Sequence, residues 1–444
     1  MASRLATRRH RSLPSSHERS VLPNGLRIVS HAMPDARSVS AGIFVGVGSR
    51  HEDAAGAGRS HLLEHLVFKG TRDYPDPGVL SEAVEGCGGS VNASTDRELT
   101  VYSTKVPSAA AGSGLTVIAQ LALAPLLRQS DLSAEKPVIV DEIHMYEDSP
   151  GDHVFSLFDT LLFGAHPLGR EIAGTPRAVR RASRADLIAH WRAWYRPQRM
   201  VLAVAGAIRH DDVVAKAADW FTSLDGWLSD VDAPVLPELA VVPPEPAHGG
   251  SLSVTYRRTS QGNLCLGMPG VARDDPDRWA LDLLGAILGD GMSSRLFLEL
   301  RERRSLAYDV STFAATYADC GTFGIHAGFH PDHAEAVTSA ILDQLERAVQ
   351  APVTPAELAR AVAYTRGRLE LRMEDTGAVA AWLGTGESLL PRIMPVDEVI
   401  EHLEAVTIDD IMRVARRCTR PDQARLAVLG PFRGRSRFER LLAR

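Results

Sequence analysis

Hydrophobic positions recur along the chain with two different spacings, and the switches between them outline its elements. Pro23-Asn24-Gly25 is a hairpin signal leading into LRIVSHA and SVSAGIFVGVG, which read as strands. Helical spacing follows over 58–69 and again over 77–86, where Gly88-Gly89 stops it. Strands are expected at 90–95 and 98–106, and long helices at 110–126 and 133–147. VLAVAG at 201–206 reads as a strand and 210–222 as an amphipathic helix.

A stretch from 224 to 250 is rich in Pro, Asp and Gly and lacks a helical period. The elements after it run in nearly the same order. Strands are expected at 251–257 and 262–268, and helices at 275–289 and 293–303. Two strands, LAYDVSTFAA and GTFGIHAG, precede helices at 331–350 and 355–374. A helix at 407–417 then leads to the strand ARLAVLG. Strands and helices mix without strict alternation, so the expected class is α+β. The repeated order suggests duplication, with largely antiparallel mixed sheets flanked by helices. The expected division is a disordered tail at 1–18, an N-terminal unit at 19–230, a linker at 231–250 and a C-terminal unit at 251–444.

With 444 residues, 45% apolar and 23% charged, the composition is that of a globular protein of several packed units. No apolar run is long enough to span a bilayer, and no secretory signal pattern is present. A net charge of −6 speaks against general nucleic-acid binding. Cys87, Cys265, Cys320 and Cys418 have no C-x-x-C spacing and fit a reducing compartment. The first twenty residues carry five Arg, a pattern shared by mitochondrial transit peptides and disordered tails. Lys occurs only at 69, 105, 136 and 216; with the abundant Ala this points to a high-GC bacterium and a cytoplasmic protein, the mitochondrial matrix being the alternative.

The segment AGRSHLLEHLVFKGT changes the picture most. On a helix His61 and His65 lie one turn apart on one face, where two neutral imidazoles can reach one Zn2+. Glu64 stands beside them, placed to act as the base for a water molecule. This His-x-x-Glu-His order is the signature of inverted zincins. A surface helix with two spare histidines is the alternative. A catalytic centre needs a third protein ligand. DLSAEKPVIVDEIHMYEDSP offers Glu142, with Glu135 two turns before it to orient a His or share the base role. Val138, Ile139 and Ile143 are expected to pack that helix inward.

His61, Glu64 and His65 followed by Glu142, with FKGT at 68–71 and the N-A-x-T-x-x-E-x-T-x-Y stretch from Asn92 to Tyr102, resemble the M16 metallopeptidases. The likeness runs from about residue 18 nearly to the end of the chain. It implies two α/β-roll halves, one Zn2+ per chain held by His61, His65 and Glu142, and an auxiliary Glu135. It further implies that Asn92 and Ala93 bind a substrate backbone, and that Arg301 and Tyr308 reach its carbonyl, from the opposite subunit in dimeric members. A homodimer is expected, a heterodimer with a second such chain being possible. Ser60 and Asp309 depart from the family pattern. The expected function is a zinc metalloendopeptidase acting on extended or unfolded peptides. The alternatives are a non-catalytic partner subunit and a dedicated leader-peptide maturase.

Overall fold

The computed structural model describes residues 17–223, 251–420 and 423–443. The tail and linker expected at 1–18 and 231–250 lie outside these residues, except His17 and Glu18, and Glu18 already opens the first strand.

Two sheets carry the fold. The first contains β1 (Glu18–Val21), β2 (Arg27–Ala32), β3 (Ser38–Val45), β4 (Ser90–Thr95), β5 (Thr100–Pro107) and β6 (Met200–Gly206). The second contains β7 (Leu252–Tyr256), β8 (Gly262–Pro269), β9 (Ala307–Thr316), β10 (Gly321–Phe329) and β11 (Arg425–Gly430). Their orders, β1-β2-β6-β3-β5-β4 and β7-β11-β8-β10-β9, coincide once the extra edge strand β1 is set aside. In each, the last strand in sequence inserts between the first two, parallel to the first and antiparallel to the second. All other pairings are antiparallel. The duplication expected from the order of elements is therefore present in the topology.

The β3–β4 connection holds α1 (Arg59–Val67) and α2 (Pro77–Glu85). After β5 come α3 (Ala111–Leu123), α4 (Gln129–Asp148) and α5 (Pro150–Phe163). The matching β8–β9 connection holds the helix Arg278–Leu288, and then a π-helical segment, Phe297–Arg303, where an α-helix over 293–303 was expected.

Two helices missing from the sequence reading lock the halves together. Val154, Phe158 and Leu162 of α5 bury against Cys265, Ala427 and Leu429 of the second sheet. Reciprocally, Val379, Ala380 and Leu383 of the helix Thr376–Leu389 bury against Val29, Phe44 and Ala203 of the first. Gly384 makes that approach possible, since a Cβ there would lie 2.1 Å from the Phe44 ring. Each sheet thus has one face covered by its own helices and the other by a helix from the opposite half. At about 1.5–3 kcal/mol for each large apolar side chain buried, these crossings are strong ties. The helices at 184–194 and 396–405 also went unread in the sequence.

Between the halves lies a charged cluster. Arg50 forms a two-point ion pair with Asp319 at 2.7 and 3.0 Å and bonds Glu98 at 2.7 Å. Glu98 also accepts from Arg273 and from the Ala318 N–H. Burial works to raise the Glu98 carboxyl, but Arg273, Ala318 and Arg50 hold it below its usual range. The Glu98 of the family-like stretch is thus the tie between the β4–β5 turn and the β9–β10 turn.

Candidate metal centre

The rotation of α1 follows from its sequence. Leu62, Leu63, Leu66 and Val67 are buried in the first core, which leaves His61, Glu64 and His65 together on the remaining flank. The helix starts at Gly58, whose φ of +92° and close approach to the Ala173 carbonyl favour glycine. Glycine has no side chain to cap the free amides. Buried Glu52 does so instead, accepting from the Gly58 N–H at 2.7 Å and the Ser60 N–H at 2.6 Å. Ser60, the departure from the family pattern, is fully buried with its hydroxyl 3.2 Å from His190 Nε2.

α4 lies across α1. It begins at Gln129, earlier than the expected start at 133. Arg128 is its cap residue, and Arg128 Nε bonds Asp131 at 2.7 Å. Ile139 and Ile143 face inward as expected, but Val138 is exposed and Val140 takes the buried place. With 3.6 residues per turn, Ile139, Val140 and Ile143 form the apolar stripe and Val138 lies outside it.

This packing brings Glu142 to His65 and His61, 77 and 81 positions before it in sequence. His61 Nε2 is 3.7 Å from Glu142 Oε1, and His65 Nε2 is 3.3 Å from Glu142 Oε2. The rings of His61 and His65 have centroids 4.6 Å apart. One ligand atom from each of the three residues lies within 4.8 Å of the other two. Glu135 is buried and bonds His65 Nδ1 at 3.0 Å. Its second oxygen pairs with Lys69 Nζ at 2.6 Å. Lys69 is in the FKGT flank, and the sequence reading gave it no role.

The donor set fits a divalent ion of the zinc class. Two imidazoles and a carboxylate are its usual protein ligands, and the ligating imidazoles must be neutral. Burial, helped by His65, lowers the His61 pKa to about 4, so its ring is neutral at physiological pH. Glu135, by accepting from Nδ1–H, leaves the Nε2 lone pair of His65 facing Glu142. Among the described residues, buried His61 Nδ1 and Glu64 Oε2 have no hydrogen-bond partner. Burial raises the Glu64 carboxyl pKa, with Thr95 and His65 pulling it down and Glu142 pushing it up. Beneath Glu64, the fully buried hydroxyls of Tyr102 and Tyr195 meet at 2.7 Å. Sequence reasoning missed the second of this pair.

The other expected site residues are placed as follows. Asn92 and Ala93 lie on β4, the last strand of its sheet, which among the described residues pairs only with β5. The Ala93 N–H donates to Asn92 Oδ1 at 2.9 Å. Arg301 lies on the π-helical segment over the Phe297 ring, and the exposed Tyr308 donates to Gln261 Oε1 at 2.6 Å. Among the described residues, no hydrogen bond or ion pair joins either of them to His61, His65 or Glu142. Asp309 faces His326 at 3.4 Å.

Two histidines one turn apart with a carboxylate between them, joined by a second carboxylate from a crossing helix, form a group that could hold a metal ion and have the spacing of inverted zincins. Comparison with known proteins agrees. Residues 27–176 match the family described as Insulinase (Peptidase family M16), and residues 181–364 that described as Peptidase M16 inactive domain. A protein named as an uncharacterized zinc protease from Streptomyces coelicolor is 38% identical over 418 residues, 94% of this chain and 90% of that protein. One so named from Bacillus subtilis is 33% identical over 410 residues, 92% and 97% of the two chains. The crystal structure of a protease from Helicobacter pylori shares the fold with a TM-score of 0.86 at 24% identity, covering 94% of this chain and 100% of that one. The chain belongs to the M16 family of metallopeptidases. The helix Arg278–Leu288, at the place of α1 in the second half, carries no His pair, in keeping with the inactive domain matched there.

Proposed function

We propose that this protein is a zinc endopeptidase acting on extended peptides. In this reading the 19–230 unit supplies the metal ligands and the strand that receives substrate, and the 251–444 unit supplies Arg301 and Tyr308. His61, His65 and Glu142 would hold one Zn2+. When bound, the ion acts as a Lewis acid that lowers the pKa of water toward neutrality. The observation that carries the reading is the convergence of both Nε2 atoms on the two oxygens of Glu142, with Glu64 beside them.

Glu64 takes the proton of the attacking water and delivers it to the departing amine nitrogen as the C–N bond breaks. Its raised pKa suits a group that must both accept and return a proton. Glu135 positions His65. The open side of β4 receives the substrate as an added strand, which takes the Ala93 N–H by displacing the Asn92 amide oxygen. Arg301 and Tyr308 would act on the centre of a second copy in a homodimer, a heterodimer with a second such chain being the alternative. The relatives named above are bacterial, and no helix among the described residues is long and apolar enough to cross a membrane.

Glu64→Gln tests this. The variant should bind zinc normally and lose cleavage of a quenched peptide by a factor of about 100 or more. Normal turnover in that variant would refute the base assignment, and turnover that survives a chelator would refute the metal.

A further inference from the structure

The strand β4 separates two environments. Val91 and Ala93 pack against the core on the α1 side, whereas Ser90, Asn92 and Ser94 are exposed on the other face. On that other face the register aligns Asn92 with Ser103 and Gly42, and Ser94 with Val101 and Phe44. The helix Thr376–Leu389 covers β3 and β6 but stops short of β4. A groove of about 440 Å³ remains between the helix and the uncovered strands.

Phe44 and Val101 make its floor, and Ser94, Ser103 and Thr385 its rim. Lys105 is neutralised by Asp375 at 2.5 Å at one end, and Asp96 lies at the other end, where one of its oxygens accepts from the Arg97 N–H. The middle therefore offers apolar surface and hydroxyls without charge.

We infer that this groove is a specificity site for alternate side chains of the substrate, selecting uncharged aliphatic residues. The inference rests on strand addition at β4 as proposed above. An added strand continues the pleat, so directly opposed residues share a face. Substrate residues opposite Ala93 and Thr95 face α1 and the metal ligands. Those opposite Asn92 and Ser94 face the groove. The scissile bond is thus read from both sides of the sheet, by different walls and with a period of two.

The test is cleavage of a degenerate peptide library by the full-length protein, with products read by mass spectrometry. Wild type should prefer Val, Leu or Ile at positions two apart. Thr385→Glu places an acid on the exposed rim and should shift those positions alone toward Lys and Arg, by about tenfold in kcat/KM. Thr385→Lys should shift the same positions toward Asp and Glu. If neither variant changes preference, or if positions of both parities change, the groove assignment is wrong while the peptidase reading stands. Absence of chelator-sensitive cleavage in wild type would overturn that reading, and the groove with it.

Discussion

Glu135 holds His65 by its Nδ1 atom at 3.0 Å, and in doing so turns Nε2 toward Glu142 at 3.3 Å. A buried carboxylate beside a buried-facing ring would be costly alone, and Lys69 at 2.6 Å supplies its counter-charge. Lys69, Glu135 and His65 thus form a chain that ends at the metal position. Removing its middle member, Glu135→Ala, should weaken zinc binding by roughly 10–100-fold. Lys69→Met should produce a smaller loss in the same direction. Competition with a chromophoric chelator measures both, and unchanged affinity in Glu135→Ala would remove the positioning role.

Glu98 ties the halves through Arg50 and Arg273. Glu98→Ala leaves both guanidinium groups buried with one partner fewer. The expected cost is about 3–5 kcal/mol in urea unfolding. Glu98→Gln keeps part of the hydrogen bonding and should cost less.

His51 and His190 should each contribute stability that acid removes above the usual carboxylate range. Burial lowers the pKa of His51 to about 4 and that of His190 to about 3. His51 Nδ1 accepts from the Gly48 N–H, which requires the neutral ring. In the unfolded chain these imidazoles titrate near 6.5. At these two sites the unfolded state therefore binds more protons between pH 6.5 and 4, and the stability they contribute falls as pH falls. Each of the two residues should remove on the order of 3 kcal/mol by pH 4. Unfolding curves of the metal-free protein across that window check this, and His190→Gln should flatten the dependence.

How much of this was legible beforehand divides along physical lines. α1 and α4 were readable because each carries functional side chains at helical spacing next to an apolar stripe. Val138 was misassigned because three neighbouring β-branched residues fit two slightly rotated stripes, and only the packing partner chooses between them. The helices α5 and Thr376–Leu389 were missed because their apolar surface serves the sheet of the opposite half. The role of Glu98 was hidden for the same reason: its partners Arg273 and Ala318 lie in the other half of the chain. Glu52 caps α1 from outside the usual cap position, so no local pattern announces it. Glu142, by contrast, was readable from its spacing in a resembling family, and the crossing of α4 over α1 supplies the physical reason.

The most direct test is calorimetric titration of the metal-free protein with Zn2+. Wild type should bind one ion per chain, and Glu64→Gln should bind it as tightly. His61→Ala, His65→Ala and Glu142→Ala should each lose more than the roughly 10–100-fold expected of an outer partner such as Glu135. Wild-type affinity in Glu142→Ala would show that the carboxylate of α4 does not join the two imidazoles of α1, contradicting the account at its base.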